Sequence, residues 1–437
     1  MSSSSSFGQP YDSPHAHDGK MEVDDPTGGP ATRLCVTLEP GAWTFRAIDG
    51  AQGVSLHGEL RSNETPTAEP AWRVPRGVPL RCAPHVVPKP WGREIWYTGI
   101  EKRGVCLVGG VPFTWLLAAA RREILGDWAG DPVLLKVLDP VGVPVLGDLY
   151  TEIHAQKNEV YVCTHVDPVL YPDGTGWLRY GISPAAWNEA GGDSATFKAS
   201  YLCAVKEYEG VRRGIDDWID ANRSVLEGSA LLDQDAPVEA ALLARWHQAA
   251  PAALREAESV ARARMNAFTA LHPMRVGSVA RVPVGVPHAL QAGVRVVEFQ
   301  TATYERSIVS FAQKVLTQPH WDTPSALELL DVEESRRCPL VPEDRQAPAE
   351  RIVDFPGFEA WRLRVSSVGG PVEVGSTAAY ELIYVVEGAL RWSARTPSHN
   401  GEALIVTFDA GAWLLPCGAL GTLEGEGLVL RAFPRKS

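Results

Sequence analysis

Gly147-Asp-Leu-Tyr-Thr-Glu152-Ile-His154-Ala-Gln-Lys-Asn-Glu159 is the stretch on which the reading of this chain turns. Side chains two positions apart on a β-strand point to the same face, so Glu152 and His154 reach one point inside a barrel. Glu159, after a short turn, returns a carboxylate to that point from the next strand. Far downstream lies Gly277-Ser-Val-Ala-Arg-Val-Pro283-Val-Gly285-Val-Pro-His288. Its prolines and glycines set a tight approach to a strand from which His288 faces inward. Two imidazoles and two carboxylates form a donor set for one divalent metal ion, and zinc, iron and manganese all suit it. A lone Glu-x-His is commonly a solvated strand feature and a lone Pro-His-Ala a turn; only their conjunction points to a metal.

Outward from these stretches the chain reads as mainly β. Residues 31–80 form an N-terminal β segment of short apolar runs (RLCVTLEP, WTFRAI, GVSLHGEL) broken by turn residues. Residues 81–330 form the metal-binding unit, with strands expected at VGGVPFTWLLAAA, DPVLLKVLDP, NEVYVCTHV, GWLRYGI and ATFKASYLCAVKEY. Within it, at about 214–271, apolar residues recur at helical spacing: Ile215, Trp218, Ile219, then Leu242, Leu243, Trp246, then Leu254, Ala261, Met265. Pro251 stands where a first-turn proline would. This is an α-helical insertion, after which strands resume at RVGSVARVP and GVRVVEFQ. A linker at 331–350 leads to a last β-rich unit, 351–437.

The bulk properties narrow the function. With 437 residues the chain exceeds one ordinary core. A net charge of −12 argues against nucleic acid as a partner, since neutralising phosphates needs clustered Lys and Arg. It leaves room for an anionic small substrate in a locally basic pocket. The seven cysteines are odd in number, scattered and free of any CxxC pair, so a reducing compartment, the cytoplasm, is expected. Residues 1–30, rich in Ser, Gly, Pro and Asp, read as a disordered tail rather than a secretory signal, and no run suggests a membrane span.

The two decisive stretches resemble the cupin motifs. Gly147, His154 and Glu159 follow the first motif, with Glu152 in place of its first histidine; Gly277, Pro283, Gly285 and His288 follow the second, with Ala292 where asparagine is usual. The last unit resembles a second cupin that has lost its site: Gly411, Pro416 and Gly418 repeat the second motif, but Gly421 holds the histidine position, and Glu381 to Gly388 offers no His-x-His. The resemblance implies a double cupin, two jelly-roll β-barrels with an α-helical insertion, the second barrel degenerate.

Within the cupins the order of parts resembles type I mannose-6-phosphate isomerase. Lys89-Pro90-Trp91-Gly92-Arg93-Glu94-Ile95-Trp96 is similar to that family's KPWGG segment, Leu134-Leu135-Lys136-Val137-Leu138 to the strand before its metal residues, and Pro287-His288-Ala289 with Glu298 and Arg306 to its later strand and active-site arginine. The family uses Gln, His, Glu and His on zinc, so Glu152 stands where glutamine is expected. Tyr150 stands where a serine helps hold phosphate, and in Tyr304-Glu305-Arg306 the arginine arrives early while Lys314 comes late. These departures bear on phosphate recognition. The implied activity is metal-dependent aldose–ketose isomerisation of a sugar or sugar phosphate through an enediol, with Lys136 and Arg306 as the catalytic cations. Two alternatives share the scaffold: an Fe-dependent cupin oxygenase, and a non-catalytic sugar-binding or sensory cupin.

Overall fold

The computed structural model describes residues 19–23, 32–39, 41–47, 71–101, 104–222, 226, 238–315, 318–341, 347–395 and 404–435. Mainly β, with antiparallel pairing throughout, these residues form several sheets. Two of them enclose the site. A seven-stranded sheet runs in the order Leu340–Val341, Val279–Val282, Glu159–Val166, Val294–Gln300, Leu134–Pro140, Gly92–Trp96, His85–Lys89. A five-stranded sheet runs Thr269–Met274, Gly176–Ile182, His288–Leu290, Thr151–Glu152, Ile308–Ser310. Leu138, Tyr161 and Val296 from the first meet Leu178, Leu290 and Ile308 from the second in one buried cluster, the interior of a cupin-like barrel.

The inner strands of the seven-stranded sheet, Glu159–Val166, Val294–Gln300 and Leu134–Pro140, are buried on both faces, which is why they read as nearly continuous apolar runs. Along Glu159–Val166, Tyr161 and Cys163 face the barrel interior, while Val160 and Val162 face a second core shared with Phe358, Leu382 and Val385 of the C-terminal unit. That unit is one large sheet through Ala349–Phe355, Gly357–Val365, Gly421–Arg435, Glu381–Ala394 and Gly411–Leu415. It does not stop at the chain's later residues. Leu80–Ala83 pairs with Gly411–Leu415, Arg81 opposite Trp413, so the expected boundary at 80/81 falls inside a strand of the C-terminal sheet. Where the second barrel would need its histidine, any side chain at Gly421 would collide with the Trp392 indole. Glu381, also buried there, accepts from Arg431 at 3.2 Å and from the Gly375 amide at 3.1 Å. Trp392 thus takes the space at Gly421, and Glu381 is held in an ion pair with Arg431.

Several expectations need correction. ATFKASYLCAVKEY is helical, within Ser194–Asn222: Phe197, Tyr201, Val205, Tyr208, Ile215 and Ile219 recur at the helical period and are buried. The helices begin at Pro184, capped by Ser183, and end with Ala252–Asn266, rather than spanning about 214–271. Thr269–Met274 is already a strand, paired with Gly176–Ile182. VGGVPFTWLLAAA gives two short strands and then a helix, Phe113–Leu125, as its Leu and Ala run favours. In the tail, Gly19–Val23 is a strand at the edge of the N-terminal sheet, paired with Thr32–Glu39; the rest of 1–30 lies outside the described residues, as does GVSLHGEL. In the linker, Leu340–Val341 joins the seven-stranded sheet beside Val279–Val282.

Candidate metal centre

Glu152 and His288 stand directly opposite each other in an antiparallel pair, with Tyr180 beyond His288 and Ile308 beyond Glu152. The strand carrying Glu152 ends there, at two residues, so strand alternation is not what brings His154 in. His154 lies in the irregular segment after that strand, just before the Ala155–Gln156 bend, and the second stretch holds it there: the Gly285 amide donates to the His154 carbonyl at 2.8 Å, and the Asp331 amide donates to the Gly285 carbonyl at 2.8 Å. Gly285 adopts φ +78°, and a Cβ there would stand 2.9 Å from that of Asp331, so only glycine fits this close turn.

The result is a cluster in which one ligand atom each from Glu152, His154 and His288 lies within 4.8 Å of the others. His154 Nε2 is 3.5 Å from Glu152 Oε2 and 3.5 Å from Glu159 Oε1. His288 Nε2 is 3.3 Å from Glu159 Oε2. The His288 Nδ1 lies 2.9 Å from the Val286 carbonyl, which assigns the proton to Nδ1 and leaves the Nε2 lone pair for the centre. His154 is 1% exposed, yet neither ring nitrogen hydrogen-bonds to any described residue. Burial, reinforced by the nearby Lys157 ammonium, pushes its pKa down to about 3, so the ring is neutral. A buried neutral imidazole without a partner, beside a second imidazole and two carboxylates, is what a zinc, iron or manganese ion would satisfy.

Glu159 is the most heavily engaged of the four. Tyr161 donates its hydroxyl to Oε2 at 2.5 Å, and Lys157 Nζ lies 2.6 Å from Oε1. Burial alone would raise its pKa; Lys157 and His154 outweigh this and hold the carboxyl well below the usual range. Glu152 moves the other way, raised by burial against the pull of Lys157 and His288.

Around the cluster opens a pocket of about 440 Å³, its mouth included, lined by all the ligand candidates except His154 and by Lys136 and Arg306. Lys136 is no exposed strand lysine. It is 7% exposed, 3.3 Å from Glu298 Oε1 and 4.9 Å from the centre of the Trp96 ring. Burial opposes its charge, but Glu298 and Glu94 outweigh burial and keep it protonated. Arg306 stacks over Tyr150 at 5.5 Å. Its neighbour Glu305 is turned to the metal loop, where it accepts from the amides of Ala155 and Gln156.

The structure matches mannose 6-phosphate isomerase from Bacillus subtilis, TM-score 0.53 at 14% identity, over 81% of this chain and 99% of that one. A variant of phosphomannose isomerase from Salmonella typhimurium matches at TM-score 0.52 and 10% identity, over 82% and 99%. The fold is that of the mannose-6-phosphate isomerases. At these identities the likeness is one of fold, and no family model and no curated protein matches the sequence.

Three further pocket residues surround the ligand candidates: Lys157, Tyr161 and Glu298. Lys157 sits inside the decisive stretch. Tyr161 lies two positions after Glu159, hence on the same strand face. Glu298 pairs with both Lys136 and Tyr161 across neighbouring strands, and only that cross-strand register makes its role visible.

Proposed function

We propose that this protein is a metal-dependent aldose–ketose isomerase acting on a sugar or sugar phosphate, with Glu152, His154, Glu159 and His288 as metal ligands. The observation that carries this reading is the convergence of Glu152, His154 and His288 at a pocket within a fold like that of known sugar-phosphate isomerases. Zinc is the first candidate from the resemblance to the isomerases; the donor set itself suits iron and manganese as well. A divalent ion held there would supply Lewis acidity toward the substrate's carbonyl and hydroxyl oxygens while isomerisation moves a proton between the two carbons that bear them.

The chain's own residues set the remaining chemistry. Lys136, kept charged by Glu298 and Glu94, suits the stabilisation of an enediolate and not proton abstraction. Arg306 brings a guanidinium to the pocket wall, suited to an anionic group on the substrate. His288 is fixed in orientation by the Val286 carbonyl, so its ligand atom needs no reorganisation. Among the described residues no helix is long and apolar enough to cross a membrane, and the scattered, odd-numbered cysteines support a cytoplasmic setting.

One feature favours a second reading. Glu152 and Glu159 together cancel the charge of a divalent ion, which favours retention of the metal over catalysis, as in a sugar-binding cupin. Metal analysis of the purified protein, followed by a coupled isomerase assay on mannose 6-phosphate and free aldoses, tests both. Stoichiometric metal with turnover supports the isomerase; metal with saturable sugar binding and no turnover supports the second reading; absence of tightly bound divalent metal overturns the site.

A further inference from the structure

The loop between His154 and Glu159 carries the approach to two proposed ligands, and its backbone is held from outside. The carboxylate of Glu305 accepts two hydrogen bonds from consecutive amides of that loop, from Ala155 at 2.7 Å and from Gln156 at 2.9 Å. Two amides converging on one carboxylate form a charge-assisted, bidentate contact, stronger and more directional than neutral bonds. The same strap continues on both sides. Ile153 donates to the Ser307 carbonyl at 3.3 Å, and Thr301 donates its amide to the Asn158 carbonyl at 3.0 Å. The Asn158 amide donates to Thr301 Oγ1 at 3.1 Å, and the Asn158 side-chain oxygen accepts from Val284 at 3.2 Å. The residues from Ile153 to Asn158 are thus laced to the segment from Thr301 to Ser307, and Glu305 brings a carboxylate to this lacing.

That segment also carries Arg306 into the pocket. Glu305 and Arg306 are adjacent in sequence, so fixing one against the metal loop fixes the backbone of the other. We propose that Glu305 is a positioning residue: its carboxylate locks the Ala155–Gln156 turn, setting where His154 stands, and holds Arg306 in register with the metal centre. This rests on the assignment of His154 as a ligand. A shift of about 1 Å in a supporting group is enough to lose function at a site of this kind.

The test uses Co²⁺, whose visible absorption reports ligand geometry as well as binding. Wild type, Glu305→Ala and Glu305→Gln are stripped of metal, checked for folding by their melting temperatures, and titrated with Co²⁺. Loss of the clamp should weaken Co²⁺ binding by about 10-fold, the scale on which outer partners of metal ligands act, and alter the absorption bands. Glu305→Gln keeps one carbonyl acceptor and should fall between; should Glu305→Ala fail to fold, Gln against wild type carries the comparison. A lowered melting temperature with unchanged Co²⁺ affinity and spectrum would reduce Glu305 to a structural residue and overturn the proposal. Failure of wild type to bind Co²⁺ would instead remove the ligand assignment beneath it.

Discussion

Glu152 and His288, 136 positions apart in the sequence, face each other as direct partners across an antiparallel pair. The pairing places a carboxylate and an imidazole on one face with no side-chain flexibility required, and His154 closes the cluster from the irregular segment that follows. Removing either imidazole leaves a cation with an incomplete shell. His154→Ala and His288→Ala are each expected to lose metal affinity by more than the about 10- to 100-fold typical of outer-sphere changes. Metal analysis after dialysis checks this, and full occupancy in either variant would refute the ligand set.

Glu152→Gln tests the charge of the centre. The amide keeps an oxygen ligand and removes a negative charge, leaving a more electrophilic ion. The variant is expected to hold metal less tightly in competition with a chelator, yet to gain isomerase activity on mannose 6-phosphate or free mannose relative to wild type. Tighter binding in the variant would show that Glu152 is not a ligand.

In the C-terminal unit, Gly421→Ala drives a methyl group into the Trp392 indole and the Ser393 carbonyl. Overpacking of this kind costs about 1–3 kcal/mol. Chemical denaturation should show that loss while metal stoichiometry stays at the wild-type value. A second equivalent of metal in wild type, lost on changing Glu381, would contradict the account of that unit.

Asp148 gives a pH signature away from the ligands. Burial pushes its carboxyl up from 3.8 to about 6, against the pull of the Ala292 amide and of Arg179. The folded pKa lies above the unfolded one, so ionisation opposes folding: the penalty is absent below about pH 4, grows through pH 4–6 and is complete above. Asp148→Asn, which keeps an oxygen for the Ala292 amide (2.9 Å), should be more stable than wild type at pH 7 by on the order of 1–3 kcal/mol. At pH 4 the two should match. Equal difference at both pH values would mean the carboxyl is not the cause.

Truncation separates the two parts of the N-terminal region. Deletion through Asp18 should leave the melting temperature unchanged, since those residues offer little apolar surface. Deletion through Gly29 removes Gly19–Val23, the edge partner of Thr32–Glu39, and should lower it. Identical melting temperatures would show that the edge strand adds nothing.

The sequence by itself determined the residue types and spacings at the candidate centre: Glu152, His154, Glu159 and His288 stand where an inward-facing metal cluster needs them, and the Pro283-Val-Gly285 turn is required by the close packing at Gly285. It also determined that the motif positions of the second unit, Gly421 and Glu381 to Gly388, carry no imidazole. What it left open depends on partners distant in sequence. ATFKASYLCAVKEY carries Phe197, Tyr201, Val205 and Tyr208 at helical spacing within a mix of aromatic and β-branched residues that also suits a strand, and packing of that face against the Phe268 ring holds the helix. Leu80–Ala83 reads as the end of one segment, and only pairing with Gly411–Leu415 assigned it to the C-terminal sheet. Lys136 stands out in the sequence only through the family resemblance; its burial follows from the register that sets Trp96 and Glu298 on either side of it. Period and composition are local properties and survive in one dimension; strand order, register and the charge partners they create arise only when the chain closes on itself.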